Sequence, residues 1–156
     1  MIRLDCTLFW QRDLHPIGLK NTPKLLNGHG LFMKRVRRFN LKNSNILITG
    51  GAGYIGSHIA ELLVKSQNKI FIYDNLVTGF RKLINKKAIF IKGDIKNKKK
   101  LSNIIKKENI DCIIHLAAYL NISEAEKKKK KYYNNNIGGT INLVNACKNS
   151  SVKIII

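Results

Sequence analysis

Short apolar runs alternate along this chain with segments in which apolar residues recur every three or four positions. The runs are typical of strands, and we predict strands over residues 45–49, 69–74, 88–92, 111–116 and 152–156. The segments are typical of amphipathic helices, and we predict helices over residues 54–65, 98–107 and 134–149. Strands that alternate with helices predict an α/β fold with a doubly wound parallel sheet.

The apolar positions also predict which faces are buried. Apart from His115, residues 112–118 are apolar without alternation, as in a strand that helices cover on both faces. We expect His115 to pack in the core and not to bind a ligand. The first helix places several apolar residues on one face, which we expect to meet the sheet: Ile55, Ile59, Leu62 and Leu63.

Segment 45–56, NILITGGAGYIG, runs from an apolar strand into three glycines at three-residue intervals, Gly50, Gly53 and Gly56. Gly50 lets the chain turn sharply, Gly53 lets the backbone approach a ligand, and Gly56 lets the next helix pack close to the sheet. The free N–H groups of the first helical turn and the helix dipole favour negative charge there. A strand, a glycine-rich turn and a helix start in this order predict a site for a dinucleotide diphosphate.

Asp74 ends the second predicted strand, 18 residues after Gly56. A carboxylate roughly 20 residues beyond such glycines binds the adenosine ribose in dinucleotide-binding folds. It accepts from the 2′-hydroxyl and repels a 2′-phosphate, so we predict NAD as the cofactor and not NADP. The alternative is an anion-binding turn in another kind of α/β protein, with Asp74 as a cap at the strand end.

Five motifs occur in order: TGGAGYIGSH at 49–58, DNLVTG at 74–79, GDI at 93–95, DCIIHLAA at 111–118 and YYNNNIGGT at 132–140. Together they resemble the extended short-chain dehydrogenase/reductases, and especially the UDP-glucose 4-epimerase family. The resemblance covers about residues 45–156 and implies the N-terminal part of a Rossmann NAD-binding domain. It implies that the following residues hold the cofactor: Gly50, Gly53, Tyr54, Ile55, Gly56, Asp74, Asn75, Leu76, Val77, Thr78, Gly79, Asp94, Ile95, Leu116, Ala117, Ala118, Tyr119 and Asn135.

Three positions depart from the family pattern. Leu120 stands where the family usually has a lysine near the sugar nucleotide, Lys129 replaces a common proline, and residues 123–125 read SEA in place of GES. These departures leave the identity of the sugar open. The last predicted helix also contains two glycines, which cost helix propensity. The resemblance implies that Gly139 permits close packing, whereas Gly138 is simply tolerated.

Carbonyl and alcohol chemistry in this family needs a tyrosine with a lysine four residues later, because a tyrosine with a pKa of about 10 is a poor base at neutral pH. None of the five tyrosines in the chain has such a lysine. We therefore expect a cofactor-binding part without catalytic residues. The resemblance implies a complete enzyme that interconverts UDP-glucose and UDP-galactose, in galactose metabolism, through transient oxidation at C4 and forms a homodimer. Two alternatives stay open: a non-catalytic NAD-binding remnant, and part of a related nucleotide-sugar dehydratase or decarboxylase.

Residues 1–44 match none of these motifs. They contain both prolines and a basic cluster at 34–38, and nine basic residues against two aspartates give them a net charge of +7. They lack the continuous apolar stretch of a secretory signal. We expect Met33 to be the native start, with the preceding residues not part of the native protein.

The net charge of +20 raises the question of a nucleic-acid partner. Only six arginines accompany 23 lysines, and the lysine runs at 98–100 and 127–131 are typical of solvated surfaces. We therefore expect no specific nucleic-acid partner. The three cysteines lack metal or redox spacing, so we expect no metal site and a reducing cytoplasm as the location. We also expect no membrane span.

Overall fold

The computed structural model describes residues 41–155, which form a sheet of five parallel strands with helices on both faces. The strands are β1 (Asn45–Thr49), β2 (Lys69–Asp74), β3 (Ile89–Lys92), β4 (Cys112–His115) and β5 (Lys153–Ile155). The helices are α1 (Tyr54–Val64), α2 (Lys98–Lys107), α3 (Ile122–Lys127), α4 (Lys129–Tyr132) and α5 (Gly138–Ala146), with a 3-10 turn at Arg81–Leu83 and a π-helical turn at Tyr133–Ile137. The strand order is β3-β2-β1-β4-β5, which confirms the predicted doubly wound α/β fold.

The strand register brings the carboxyl ends of the three central strands to one edge of the sheet. Thr49, the last residue of β1, lies opposite Tyr73 of β2 and His115 of β4. The strand order reverses at β1, because β2 and β3 extend to one side of it and β4 and β5 to the other. Ligands of open parallel sheets bind outside the carboxyl ends at such a reversal.

Alternate residues of the strands point to opposite faces, and helices cover both faces. On one face Leu47 belongs to a buried cluster with Leu101 of α2 and Leu143 of α5. On the other face Ile48 belongs to a cluster with Ala60 of α1. A strand that is buried on both faces needs no polar positions, which is why the apolar runs do not alternate.

The buried face of α1 differs from the prediction. Ile55 and Leu62 are both more than half exposed, so the expectation that they meet the sheet is wrong. The buried residues of the helix are Gly56, Ser57, Ile59 and Ala60. A Cβ at Gly56 would lie 2.6 Å from the carbonyl oxygen of Gly50, so the helix backbone presses on the glycine turn there. This contact sets the rotation of the helix about its axis.

The helix predicted over 134–149 is also different. The chain is helical from α4 through the π-helical turn to α5, which ends at Ala146. In the π-helical turn the N–H of Gly138 reaches the carbonyl of Tyr133, five residues back. Helix α3 was not predicted, although the side chain of Asn121 caps it by accepting from the N–H of Glu124 at 2.9 Å. The other predicted elements are confirmed, with ends that shift by no more than one residue.

Residues 1–40, with the expected start at Met33, and Ile156 lie outside the described residues. The boundary between residues 1–44 and 45–156 therefore stays a prediction. Within residues 41–155, no helix is long and apolar enough to cross a membrane.

Candidate functional site

A cleft of about 680 Å³ opens at the carboxyl edge of the sheet, where the chain leaves β1, β2 and β4. It therefore lies at the reversal of the strand order. Fourteen of the eighteen residues that were predicted to hold the cofactor line this cleft: Gly50, Gly53, Tyr54, Ile55, Gly56, Asp74, Asn75, Thr78, Ile95, Leu116, Ala117, Ala118, Tyr119 and Asn135.

The turn after β1 requires glycine at two of its positions. Gly50 has a φ of +71°, and a Cβ there would lie 2.7 Å from the backbone of Leu116 and Ala117. At Gly56 a Cβ would collide with the Gly50 carbonyl oxygen, as described above. Gly53 has only that same oxygen nearby, at 3.2 Å from an added Cβ, so this part of the turn is open. The turn therefore forms a backbone-walled cradle at the mouth of the cleft.

Helix α1 begins in this cradle. Its N-cap, Gly53, makes no side-chain hydrogen bond, and its first turn carries no acidic residue. The N–H groups of the first turn and the positive end of the helix dipole are therefore available to an anion. The exposed side chains of Tyr54 and Ile55 flank the cleft.

Asp74 lies beside this turn with its carboxylate held by the backbone. One oxygen accepts from the N–H of Ala52 at 3.0 Å and the other accepts from the N–H of Leu76 at 2.8 Å. The residue is 8% exposed and lines the cleft, and these two bonds fix the orientation of its carboxylate there. A glycine cradle at a helix start with a buried carboxylate beside it fits a dinucleotide that has free ribose hydroxyls.

Four of the predicted cofactor residues lie outside the cleft lining: Leu76, Val77, Gly79 and Asp94. Gly79 packs on the glycine turn, since a Cβ there would lie 2.8 Å from the Cβ of Ala52. The carboxylate of Asp94 accepts from the side-chain amide of Asn75 at 3.2 Å. Leu76 is partly buried and packs against the core, whereas Val77 is 61% exposed. In this structure these residues shape and hold the wall of the cleft.

Six further residues line the cleft that the sequence interpretation did not assign to the cofactor: Tyr73, Gly93, His115, Leu120, Asn136 and Thr140. Gly93 is needed because a Cβ there would lie 2.3 Å from the ring of Tyr73. The Tyr73 hydroxyl donates to the carbonyl of Asp94 at 2.9 Å. Burial, and then the charge of Asp94, raises the pKa of Tyr73 to about 12, which makes it a poor base at neutral pH.

His115 is buried at the floor of the cleft, as expected of a packed histidine. Its Nδ1 lies 2.6 Å from the hydroxyl of Thr49, and its Nε2 lies 2.9 Å from the hydroxyl of Thr140. Burial lowers the pKa of His115. The ring is therefore neutral at physiological pH. The other described histidine, His58, is exposed on α1 and donates from Nδ1 to the carbonyl of Tyr54 at 2.7 Å.

One of the departures from the family pattern lies in the cleft. Leu120 lines the cleft and is 79% exposed. The departures at Ser123, Ala125 and Lys129 lie outside the cleft lining, as does Glu124, which the family pattern shares. Hydrogen bonds from Lys131, Lys128 and Tyr132 lower the pKa of Glu124 to about 2.

Both described cysteines, Cys112 and Cys147, are free and buried. Burial raises the pKa of both Cys112 and Cys147 to about 11. Across residues 41–155, no three His, Cys, Asp or Glu side chains are grouped so as to hold a metal ion. Cys6 lies outside the described residues.

Known proteins resemble the chain over the same region. The model of the NAD dependent epimerase/dehydratase family matches residues 46–156. The UDP-glucose 4-epimerase of Lactobacillus helveticus is 44% identical over 111 residues, which are 71% of this chain and 34% of that protein. The dTDP-D-glucose 4,6-dehydratase of Dictyostelium discoideum is 43% identical over 118 residues, or 69% of this chain and 27% of that protein.

A solved structure gives the same result. The UDP-glucose 4-epimerase of Brucella ovis in complex with NAD aligns with a TM-score of 0.64 and 39% identity, over 67% of this chain and 32% of that chain. The chain thus spans about a third of the length of these relatives. With the family model matching more than two thirds of its residues, the chain belongs to the NAD-dependent epimerase/dehydratase family.

Proposed function

We propose that residues 45–156 are the NAD-binding part of a nucleotide-sugar epimerase of the UDP-glucose 4-epimerase type. Relatives with that name are 36–44% identical to the chain. The complete enzyme would act on a UDP-sugar and form a homodimer. The 43% identity to a dTDP-D-glucose 4,6-dehydratase keeps a related nucleotide-sugar lyase as the nearest alternative.

The observation that carries the proposal is the position of Asp74 beside the glycine cradle. Its carboxylate is fixed by two backbone N–H groups at the edge of the cleft, within the wall that a dinucleotide would meet after its diphosphate. The 2′-hydroxyl of an adenosine ribose donates to such a carboxylate. A 2′-phosphate there would place like charges in contact in a partly dry site, which is strongly unfavourable. The arrangement therefore favours NAD over NADP.

The residues that line the cleft would bind and orient the cofactor. The first turn of α1 would hold the diphosphate, Asp74 the adenosine ribose, and Ala117, Tyr119 and Asn135 the opposite wall. When bound, NAD supplies the reversible hydride acceptor for C4 of the sugar. No tyrosine of this sequence is followed by a lysine four residues later, and Tyr73 is committed to the Asp94 carbonyl. We assign proton transfer to none of the described residues.

A second candidate is a non-catalytic NAD-binding protein. The apolar side chain of Leu120 in the cleft favours it. Both candidates predict NAD binding. They differ in whether the gene product turns over a UDP-sugar. The epimerase proposal predicts turnover, and the non-catalytic proposal predicts none.

Calorimetric titration of the full chain with NAD and NADP tests the proposal. We expect saturable NAD binding and NADP binding at least tenfold weaker, equivalent to about 1.4 kcal/mol. Asp74→Asn removes the charge, so it weakens NAD binding and narrows the gap between the two nucleotides. Glu126→Gln makes the same change of charge at an exposed site and leaves both affinities unchanged. Equal affinity of the wild-type chain for NAD and NADP would refute the role of Asp74.

A further inference from the structure

A chain of hydrogen bonds crosses the floor of the cleft from β1 to α5. The hydroxyl of the fully buried Thr49 lies 2.6 Å from Nδ1 of His115, and Nε2 of the same ring lies 2.9 Å from the hydroxyl of Thr140. The Thr140 hydroxyl lies in turn 2.6 Å from the carbonyl oxygen of Asn136. These four residues come from β1, β4, the π-helical turn and α5, so only the tertiary fold brings the first two together with the last two.

The direction of the protons along this chain follows from its last acceptor. A carbonyl oxygen can only accept, so the Thr140 hydroxyl donates its proton to Asn136 and must itself accept from Nε2–H of His115. A neutral ring protonated at Nε2 has a bare Nδ1, which accepts from the Thr49 hydroxyl. The burial of His115 favours this neutral form. Each donor has one acceptor, and the chain is fully satisfied.

The far end of the chain holds two parts of the cleft wall. The side chain of Asn136 clamps the backbone of Tyr119, accepting from its N–H at 2.9 Å and donating to its carbonyl at 3.0 Å. The same Asn136 oxygen accepts from the side chain of the buried Asn135 at 3.0 Å. Tyr119 and Asn135 both line the cleft.

The backbone around Asn136 departs from a regular α-helix. It lies in the π-helical turn Tyr133–Ile137, where hydrogen bonds reach five residues along the chain instead of four. The Thr140 hydroxyl, just beyond this turn, donates to the Asn136 carbonyl four residues back. The Thr140 hydroxyl therefore links His115 to the backbone of the residue whose side chain holds Tyr119.

We propose that His115, Thr140 and Asn136 are positioning residues that fix loop 116–120 and Asn135 in the arrangement that a nucleotide meets. Their effect on the nucleotide rests on the proposed function. Without this chain of hydrogen bonds, loop 116–120 and the Asn135 side chain sample several arrangements, and a ligand must order them when it binds. The contribution is one of preorganisation, since none of the three needs to touch the ligand.

Two measurements on the isotope-labelled full chain test the inference without a nucleotide. The ring nitrogen shifts of His115 at pH 7.5 report its tautomer, and we expect protonation at Nε2 alone. A proton on Nδ1, or a charged ring, would overturn the proposal. The second measurement is hydrogen exchange of the Tyr119 amide, taken relative to the Leu47 amide in the core so that a change of global stability cancels.

Matched variants make the exchange measurement specific. Thr140→Val removes the hydroxyl at nearly constant side-chain shape. We expect the relative exchange rate of the Tyr119 amide to rise about fivefold, the factor that corresponds to the loss of one typical hydrogen bond. Thr140→Ser keeps the hydroxyl and restores protection, and Ile141→Ala, at a position of α5 that is 53% exposed, leaves it unchanged. Equal exchange in the Val and Ser variants would overturn the proposal. If Thr140→Val does not fold, Asn136→Asp replaces it, because Asp cannot donate to the Tyr119 carbonyl.

The affinity for NAD is a third measurement. Thr140→Val is expected to raise the Kd for NAD about 2- to 12-fold, as when one extra side chain must be ordered on binding. Thr140→Ser is expected to match the wild type. If the wild-type chain does not bind NAD, the proposed function fails, while the tautomer and the exchange of Tyr119 still decide the positioning role.

Discussion

Alanine is expected to have opposite effects at two adjacent glycines of the last helix. Gly138 has helical backbone angles, and beyond the adjacent residues and the backbone of its own helix no atom lies within 4 Å of the position that a Cβ would take. At Gly139 a Cβ would lie 2.2 Å from Cδ1 and 2.6 Å from Cγ1 of Ile95. Real Cβ atoms do not approach this closely, so Ile95, which is 4% exposed, has to move.

The magnitudes follow from two terms. Replacing glycine by alanine inside a helix stabilises it by about 0.5–1 kcal/mol, and both variants gain this. Forcing a methyl group into a packed site costs about 1–3 kcal/mol, and only Gly139→Ala pays it. We therefore expect the free energy of unfolding to rise in Gly138→Ala and to be about 1–3 kcal/mol lower in Gly139→Ala than in Gly138→Ala.

Urea unfolding followed by circular dichroism measures this difference. With a slope of about 2 kcal/mol per molar urea, a gap of about 2 kcal/mol separates the two midpoints by about 1 M. Because Ile95 lines the cleft, we also expect NAD binding to weaken in Gly139→Ala and not in Gly138→Ala. Equal midpoints for the two variants would refute the packing of α5 against Ile95.

Three further predictions concern stability and reactivity. Because burial lowers the pKa of His115, the unfolded chain binds more protons than the folded chain below about pH 6.5. The contribution of the neutral ring to the free energy of unfolding is therefore complete above that pH and falls as the pH drops, by at most about 1.4 kcal/mol per pH unit. Urea unfolding at pH 7.5 and 5.5 is expected to show a smaller pH effect in His115→Gln than in the wild type. With Cys6 replaced by serine, the two buried thiols are expected to react with a thiol reagent only on unfolding, and rapid labelling in native buffer would argue against the packing around them. Gly56→Ala is expected to lower the free energy of unfolding by about 1–3 kcal/mol despite its gain in helix propensity, because the added methyl group meets backbone atoms that cannot rotate away. An unchanged urea midpoint would contradict that geometry.

The parts of the fold that depend on local pattern could be predicted from the sequence. The apolar run before Gly50 and the glycines after it determine a strand, a turn and a helix start within a dozen residues. The strand that ends at Asp74 lies beside this turn because parallel strands share their carboxyl edge. The cleft therefore contains most of the predicted residues.

The rest depends on contacts between distant residues, which a periodic pattern does not contain. Ile55 and Leu62 fit a helical stripe, yet the close approach of Gly56 to Gly50 turns them to solvent. The bonds of Thr140 and Asn136 to residues 17–25 positions away have no local signature either. Helix α3 is different, since Asn121 three residues before Glu124 was a readable capping signal that was missed.

Mapping the amide signals that NAD shifts in the labelled full chain tests the central claim most directly. With NAD we expect saturable shifts of the amide signals of residues 53–56, Asn75 and Tyr119, which surround the cleft. With NADP we expect the same signals to shift less. A lysine-lined groove between α2 and α5, formed around Lys98, Lys106 and Lys148, offers an internal comparison because it could attract a dinucleotide by charge alone. Shifts confined to that groove, or no shifts at all with NAD, would contradict the account.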